Sequence, residues 1–132
     1  MNASLELQRV IIAALQGGAT DAGSRVYDNV PPDVVFPYIA LTGWQEIQVD
    51  TDCLTLDEIF FDVQCYSLSA IPGRVEAATL AAQVKAALHN VDLVIAGFCT
   101  VTPEYRSTLY FVEPDGLTRR AVVNFKALVD AE

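Results

Sequence analysis

"EIFFDVQCYSLSA", residues 58–70, is the clearest strand in the chain. Side chains alternate across a strand, so Phe61, Val63 and Cys65 share one face. Phe60, Tyr66 and Leu68 share the other, mixed with Asp62 and Gln64. Both faces are partly apolar. A strand of this kind is covered on both sides, one by helices and the other by a neighbouring molecule.

Pro72 and Gly73 end that strand, and "RVEAATLAAQVKAALHN", 74–90, follows with helical periodicity. Ala77, Leu80, Ala81, Val84 and Leu88 recur every three to four positions, with Glu76 and Gln83 expected to face outward. The alanine-rich face permits close approach to a sheet but buries less area per residue than leucine would. Lys85 and His89 place positive charge at the C-terminal end of the dipole, and Asn90 suits the cap. Upstream, residues 4–16 read as a first helix. Ser4 and Glu6 suit its first turn, Leu7, Val10, Ile11, Ala14 and Leu15 form one apolar stripe, and Gly17 and Gly18 end it.

Between this helix and the strands lies "RVYDNVPPDVVFPYIAL", 25–41, too apolar for a linker and too rich in proline for the interior of an element. Pro31, Pro32 and Pro37 lack amide donors and force extended geometry on their predecessors, which predicts a fixed coil with short strand pieces. Its apolar side chains, Val34, Val35, Phe36, Tyr38 and Ile39, need cover from the domain's own sheet or from another subunit. Gly43 is then expected to break the chain before a strand "WQEIQVD", 44–50, with Trp44, Glu46, Gln48 and Asp50 on one side. Residues 51–57 read as a polar connection.

After residue 90 everything reads as strand: "LVIAGFCTVTP", then "YRSTLYFVE", then "LTRRAVVNFKALVDA". Pro114, Asp115 and Gly116 are a turn signal, which makes the last two strands a hairpin. In the final strand Ala121, Val123, Phe125, Ala127 and Val129 share a face. The expected fold is α+β: an antiparallel β-sheet of about four to five strands with two main helices packed on one face. The 132 residues suffice for one domain, 1–132, with a real core.

Composition narrows function by exclusion. Hydrophobic residues make up 52% of the chain, which argues against disorder, and no apolar run reaches the ~18 residues of a membrane span. The N-terminal "MNASLELQRVIIAAL" lacks the basic region of a signal peptide, so export is not expected. Net charge is −9 and unevenly spread: between Arg25 and Arg74 there are eight acids and no base. The rest is nearly balanced, with nine acids against eight bases. That sign disfavours sequence-reading contact with nucleic acid.

Catalytic groups are sparse. His89 is the one histidine, and a surface or capping role accounts for it. Cys53, Cys65 and Cys99 lack zinc-like or paired spacing and read as reduced, small, core-type residues. "DTDCLTLDE", 50–58, begins like a calcium loop but has no central glycine and carries hydrophobic residues at liganding places. There is no G-x-S-x-G elbow and no glycine-rich phosphate loop. The residues therefore nominate no catalytic, cofactor or metal site. The surplus of apolar strand surface points to assembly instead, because a long apolar edge left open is an aggregation hazard.

The order of these segments resembles the small tail-completion proteins, or tail terminators, of long-tailed phages, prophages and gene transfer agents. The resemblance rests on the helix "LELQRVIIAAL", the coil with Arg25, Tyr27 and Asp28 before its prolines and Pro37, Tyr38 and Ile39 after them, and the acidic loop "VDTDCLTLDE". It continues through the strand "FFDVQCYSLS", the helix "VEAATLAAQVKAAL" and the C-terminal strands, nearly the whole chain. It departs from the family in the scarcity of basic residues before Arg74, which bears on surface contacts rather than on fold. The resemblance implies a structural protein, no enzyme and no cofactor. By the same resemblance it would form a homo-oligomeric, hexameric ring that ends the tail tube and joins it to a head–tail connector or stopper protein, while DNA passes through unread. It would sit in the virion tail at the head–tail junction, and in the host cytoplasm during assembly, with no membrane partner. On that analogy Tyr27, Phe36, Tyr38, Arg119 and Arg120 are interface residues, and Asp50, Asp52, Asp57 and Glu58 line a rim or lumen. The alternatives are another head–tail joining protein (stopper or adaptor), a non-viral homo-oligomeric interaction module, and a small-molecule-binding or enzymatic α+β domain.

Overall fold

The apolar stripe of the first helix does what its spacing predicts. In the computed structural model, which describes residues 3–18, 20–49, 56–68 and 74–130, α1 spans Ala3–Gly17 and buries Ala3, Leu7, Ile11 and Leu15. Ser4 lies within this helix. A two-residue strand β1 (Val26–Tyr27) follows, then β2 (Tyr38–Gln48), β3 (Leu56–Ser67), α2 (Val75–Leu88), β4 (Glu104–Val112) and β5 (Arg119–Asp130). The sheet order is β1-β2-β3-β5-β4.

The long central pair is β3 with β5, antiparallel from Leu56 opposite Asp130 to Ser67 opposite Arg119. Its inner face carries Ile59, Phe61, Val63 and Cys65 against Ala121, Val123, Phe125, Ala127 and Val129, all buried. Leu7, Ile11 and Leu15 of α1 and Ala77, Leu80, Ala81, Val84 and Leu88 of α2 close over this side and form one core with it. The expected faces of β3, α2 and β5 are thus the observed ones. Burying each large side chain contributes about 1.5–3 kcal/mol. Stacked rings run through the centre, Trp44 on Phe61 at 5.1 Å and Phe61 on Phe125 at 5.5 Å.

Three expectations need correction. First, the sheet is mixed rather than wholly antiparallel, because β1 runs parallel to β2, with Val26 opposite Ile39. The proline-rich coil carries the chain back to the start of β2 instead of reversing it. Arg25 fastens that return by donating from Nε to the Pro37 carbonyl (2.9 Å), while its own carbonyl accepts the Ile39 N–H (2.9 Å). Second, Gly43 does not break the chain. It sits at φ +67° within a continuous β2, where Gly43 and Trp44 together oppose a single residue of β3, because the register skips from Thr42 opposite Asp62 to Gln45 opposite Phe60. Such a bulge shifts the alternation by one. That shift is what turns Trp44 inward onto Phe61 rather than outward. Polar residues 51–55 lie outside the described residues, and β3 already begins at Leu56.

Third, 93–103 is not a strand. Leu93 and Val101 form an isolated bridge, exchanging N–H···O bonds of 2.7 and 2.9 Å. Gly97 at φ +82° lets the chain double back between them. Leu93, Ile95 and Val101 still reach the core, so an apolar run that reads as strand is a folded-back loop. Two side chains of α2 expected to face outward are also engaged: Glu76 accepts the Ser67 hydroxyl (2.6 Å) and Gln83 accepts the Asp21 N–H (2.8 Å). The Pro114, Asp115 and Gly116 turn joins β4 to β5 as expected.

Candidate interaction surface

The helices cover one face of the sheet. On the other, cross-strand neighbours line up in rows set by the register: Tyr38, Tyr66, Arg120 and Phe111; then Ala40, Gln64, Val122 and Leu109; then Thr42, Asp62, Asn124 and Ser107; then Gln45, Phe60, Lys126 and Glu104. The middle of this face is a polar network. Tyr66 donates from its hydroxyl to Gln64 (2.7 Å), and Gln64 Nε2 donates to Thr42 Oγ1 (2.9 Å). Asn124 Nδ2 donates to Asp62 Oδ1 (2.7 Å). This explains how a strand with two partly apolar faces is tolerated: the outer side chains satisfy one another along and across the strands.

At one end of that face the rings converge. Tyr38 stacks on Tyr66 at 4.8 Å, with Phe36 at 5.1 Å and Tyr27 at 6.2 Å from Tyr38. Burial, and then the nearby Tyr66 and Glu113, raise the Tyr38 hydroxyl above its ordinary pKa. Beside the cluster Arg120 Nε pairs with Glu113 Oε1 at 2.9 Å, and its guanidinium lies over Phe111, 4.7 Å from the ring centre. The structure therefore brings Tyr27, Phe36, Tyr38 and Arg120 to one end of the outer face. Tyr38 is buried within its own chain, whereas Tyr27 and Phe36 are half-buried. Arg119 is one residue on, opposite Val112, and has no ion-pair partner among the described residues. Asp57 and Glu58 lie at the opposite end of β3, half-buried. Asp50 and Asp52 lie outside the described residues.

The least covered element is β4. It is an edge strand of nine residues, and four consecutive apolar side chains stand open: Leu109 at 59%, Tyr110 at 42%, Phe111 at 41% and Val112 at 54% exposure. Leu117, in the turn that follows, is 68% exposed. The strand has no proline, and its only charges are Glu104, paired with Lys126 (3.7 Å), and Arg106. Arg106 occupies a second bulge, where it reaches over Phe60 (4.7 Å) and donates to Asn124 (3.3 Å). Arg74, at the start of α2, covers Tyr110 in the same manner (4.7 Å). Exposed edges are ordinarily blunted by charge, proline or cover, and the Leu109-to-Val112 end of this one carries no charge or proline of its own. The sequence reading did not single out this quartet. Its signal was available: four apolar residues in a row, without alternation, next to a turn.

Groups with chemical potential are otherwise engaged in packing. His89 caps α2, and its Nδ1 accepts the Tyr105 N–H (3.0 Å), tying the helix to the start of β4. Asn90 takes the left-handed position beyond it, at φ +57°. Cys65 is buried, and burial pushes its thiol up to about 12, which makes it a poor nucleophile. Cys99 is exposed. Among the described residues no group of three or more His, Cys, Asp or Glu side chains is placed to hold a metal ion, and no helix there is long and apolar enough to cross a membrane.

Comparison with known proteins fits this surface-dominated picture. A family model described as tail completion protein gp17 matches residues 7–130. Among solved structures, a chain from the virion of a native gene transfer agent particle superposes with a TM-score of 0.81 at 24% identity, over 95% of each chain. No curated protein matches.

Proposed function

The chain belongs to the tail completion protein gp17 family, structural proteins of tail assembly, and on that premise we propose that it forms a closed ring of copies at the head-proximal end of the tail tube. The ring, six-membered by the family resemblance, stops tube growth and presents a surface to the head connector or stopper protein. It works by contact alone, without catalysis or a cofactor, in the virion tail after assembly in the host cytoplasm. DNA passes its opening without being read, since the acidic residues 28–62 repel phosphates.

One observation carries this reading: β4 leaves a nine-residue edge whose Leu109–Val112 end is apolar and open. A monomer with that edge is prone to sticking, whereas an assembly that covers it is not. The test is mass in solution by light scattering over a wide range of concentration, with negative-stain images of the largest species and a capping assay on cognate tail tubes. A closed species with a central hole, or chains that assemble on tube ends and block further growth, is the expected result. A chain that stays monomeric and leaves tubes growing would overturn the proposal.

A further inference from the structure

The sheet has two open edges, and they differ in charge. One is β4. The other is residues 42–47 of β2, because β1 pairs with β2 only around Ile39 and Ala40 and, among the described residues, no strand lies beyond. We propose that these two edges meet: the β4 edge of one subunit docks against the β2 edge, and the adjoining start of β3, of a second copy, so that the sheet continues head-to-tail from subunit to subunit. The proposal rests on the ring reading above and specifies its contact.

Charge supports this pairing. Three guanidinium groups lie beside the open part of β4, Arg74 over Tyr110, Arg120 over Phe111 and Arg119 opposite Val112, whereas Arg106, on the strand, reaches back over Phe60 of β3. Three acids of the same hairpin are already occupied. Glu104 holds Lys126, Glu113 holds Arg120, and Asp115 accepts the Leu117 and Thr118 N–H groups and the Thr118 hydroxyl. Arg74, Arg106 and Arg119 have no ion-pair partner among the described residues. The far side reverses the sign: Glu46 on β2, and Asp57 and Glu58 one strand further in on β3, form no ion pair among the described residues, and no base occurs between Arg25 and Arg74. Ile47, 38% exposed, supplies an apolar contact there for the open β4 side chains.

The same charges disfavour the simplest alternative. Two β4 edges paired about a two-fold axis would set Arg74 and Arg119 of one copy near those of the other, and like charges brought together across an interface oppose the contact. Unlike edges make a heterologous contact, which closes into a ring when its rotation allows.

Two charge-reversed variants test the pairing. One carries Arg74→Glu with Arg119→Glu, the other Glu46→Lys with Glu58→Lys, and Trp44 fluorescence checks that each is folded. Each alone is expected to self-associate more than about tenfold more weakly than the wild type by light scattering. Mixed in equal amounts they should regain the wild-type species, since acidic β4 then meets basic β2 and the reverse. If the wild type assembles only on tail tubes, the readout is capping by each variant and by the mixture. Variants that assemble or cap as the wild type does, or a mixture that fails to restore assembly, would overturn the edge pairing while leaving the ring reading intact. A wild-type chain that neither assembles nor caps would overturn both.

Discussion

Replacing Gly43 by alanine tests the bulge that shapes β2. The glycine sits at φ +67°, where an L side chain costs about 1–2 kcal/mol. A Cβ there would also overlap the Asp62 carboxylate oxygen, with the carboxyl carbon 3.0 Å and the Asp62 Cβ 3.3 Å away. Asp62 has little room to yield without giving up the Asn124 amide that it accepts at 2.7 Å, and a hydrogen bond to a charged group contributes about 1.5–3 kcal/mol. Together Gly43→Ala should cost about 2.5–5 kcal/mol. The chain has a single tryptophan, Trp44, adjacent to the bulge and stacked on Phe61, so urea unfolding followed by its fluorescence reads the perturbation directly. Protomer concentration must be held constant, because assembly adds to apparent stability. The midpoint should fall by about 1–2 M. On an Asp62→Ala background the clash with the carboxyl group is gone and only the Cβ contact at 3.3 Å remains, so the cost of Gly43→Ala should shrink toward the backbone share, about 1–2 kcal/mol. A Gly43→Ala chain within about 0.5 kcal/mol of the wild type, or an undiminished cost on the Asp62→Ala background, would refute the reasoning.

Three further outcomes follow from the same geometry. The Thr118 N–H, then its hydroxyl, then the Leu117 N–H hold the Asp115 carboxyl below its ordinary value of 3.8. Its stabilising effect is therefore present above that value and lost as pH falls through the lower, folded one, so an acid titration of stability should be less steep for Asp115→Asn than for the wild type. In a Cys53→Ser chain, thiol labelling should proceed at Cys99 at once and at Cys65 only as fast as the protein unfolds, since Cys65 is buried and its thiol is pushed up to about 12; prompt labelling of both would contradict the packing. His89→Ala strands the part-buried Tyr105 N–H and should cost about 1–3 kcal/mol in the same urea assay.

The architecture links local chemistry to assembly through its edges. Both helices lie on one side, so the sheet's inner face is finished within one chain. The outer face finishes itself with a polar network and an aromatic cluster. What no part of the described chain covers is the β4 edge and, on the far side, residues 42–47 of β2. Tyr38 illustrates the difference: an aromatic residue nominated for contact between subunits is stacked on Tyr66 of its own chain, whereas Leu109 and Val112, two residues on a strand that reads as ordinary, stand in solvent.

Periodicity alone determined most of the elements. Leu7, Ile11 and Leu15, then Leu80, Val84 and Leu88, can share a face only in a helix, and Phe61, Val63 and Cys65 only in a strand, because side-chain direction is set by local backbone geometry. The turn at Pro114, Asp115 and Gly116 was legible for the same reason, since its signal is confined to adjacent residues. The order of these segments also sufficed to point to the family. Three features depended on contacts distant in sequence. Only the pairing with β3 shows that Gly43 is a bulge within β2 rather than a break, since a bulge is defined by what lies opposite. Only the packing of Leu93, Ile95 and Val101 into the core distinguishes a folded-back loop from a strand, because an apolar run carries the same signal in both. The direction of β1 and the openness of β4 follow from strand order, and strand order is set by which surfaces meet when the whole chain collapses.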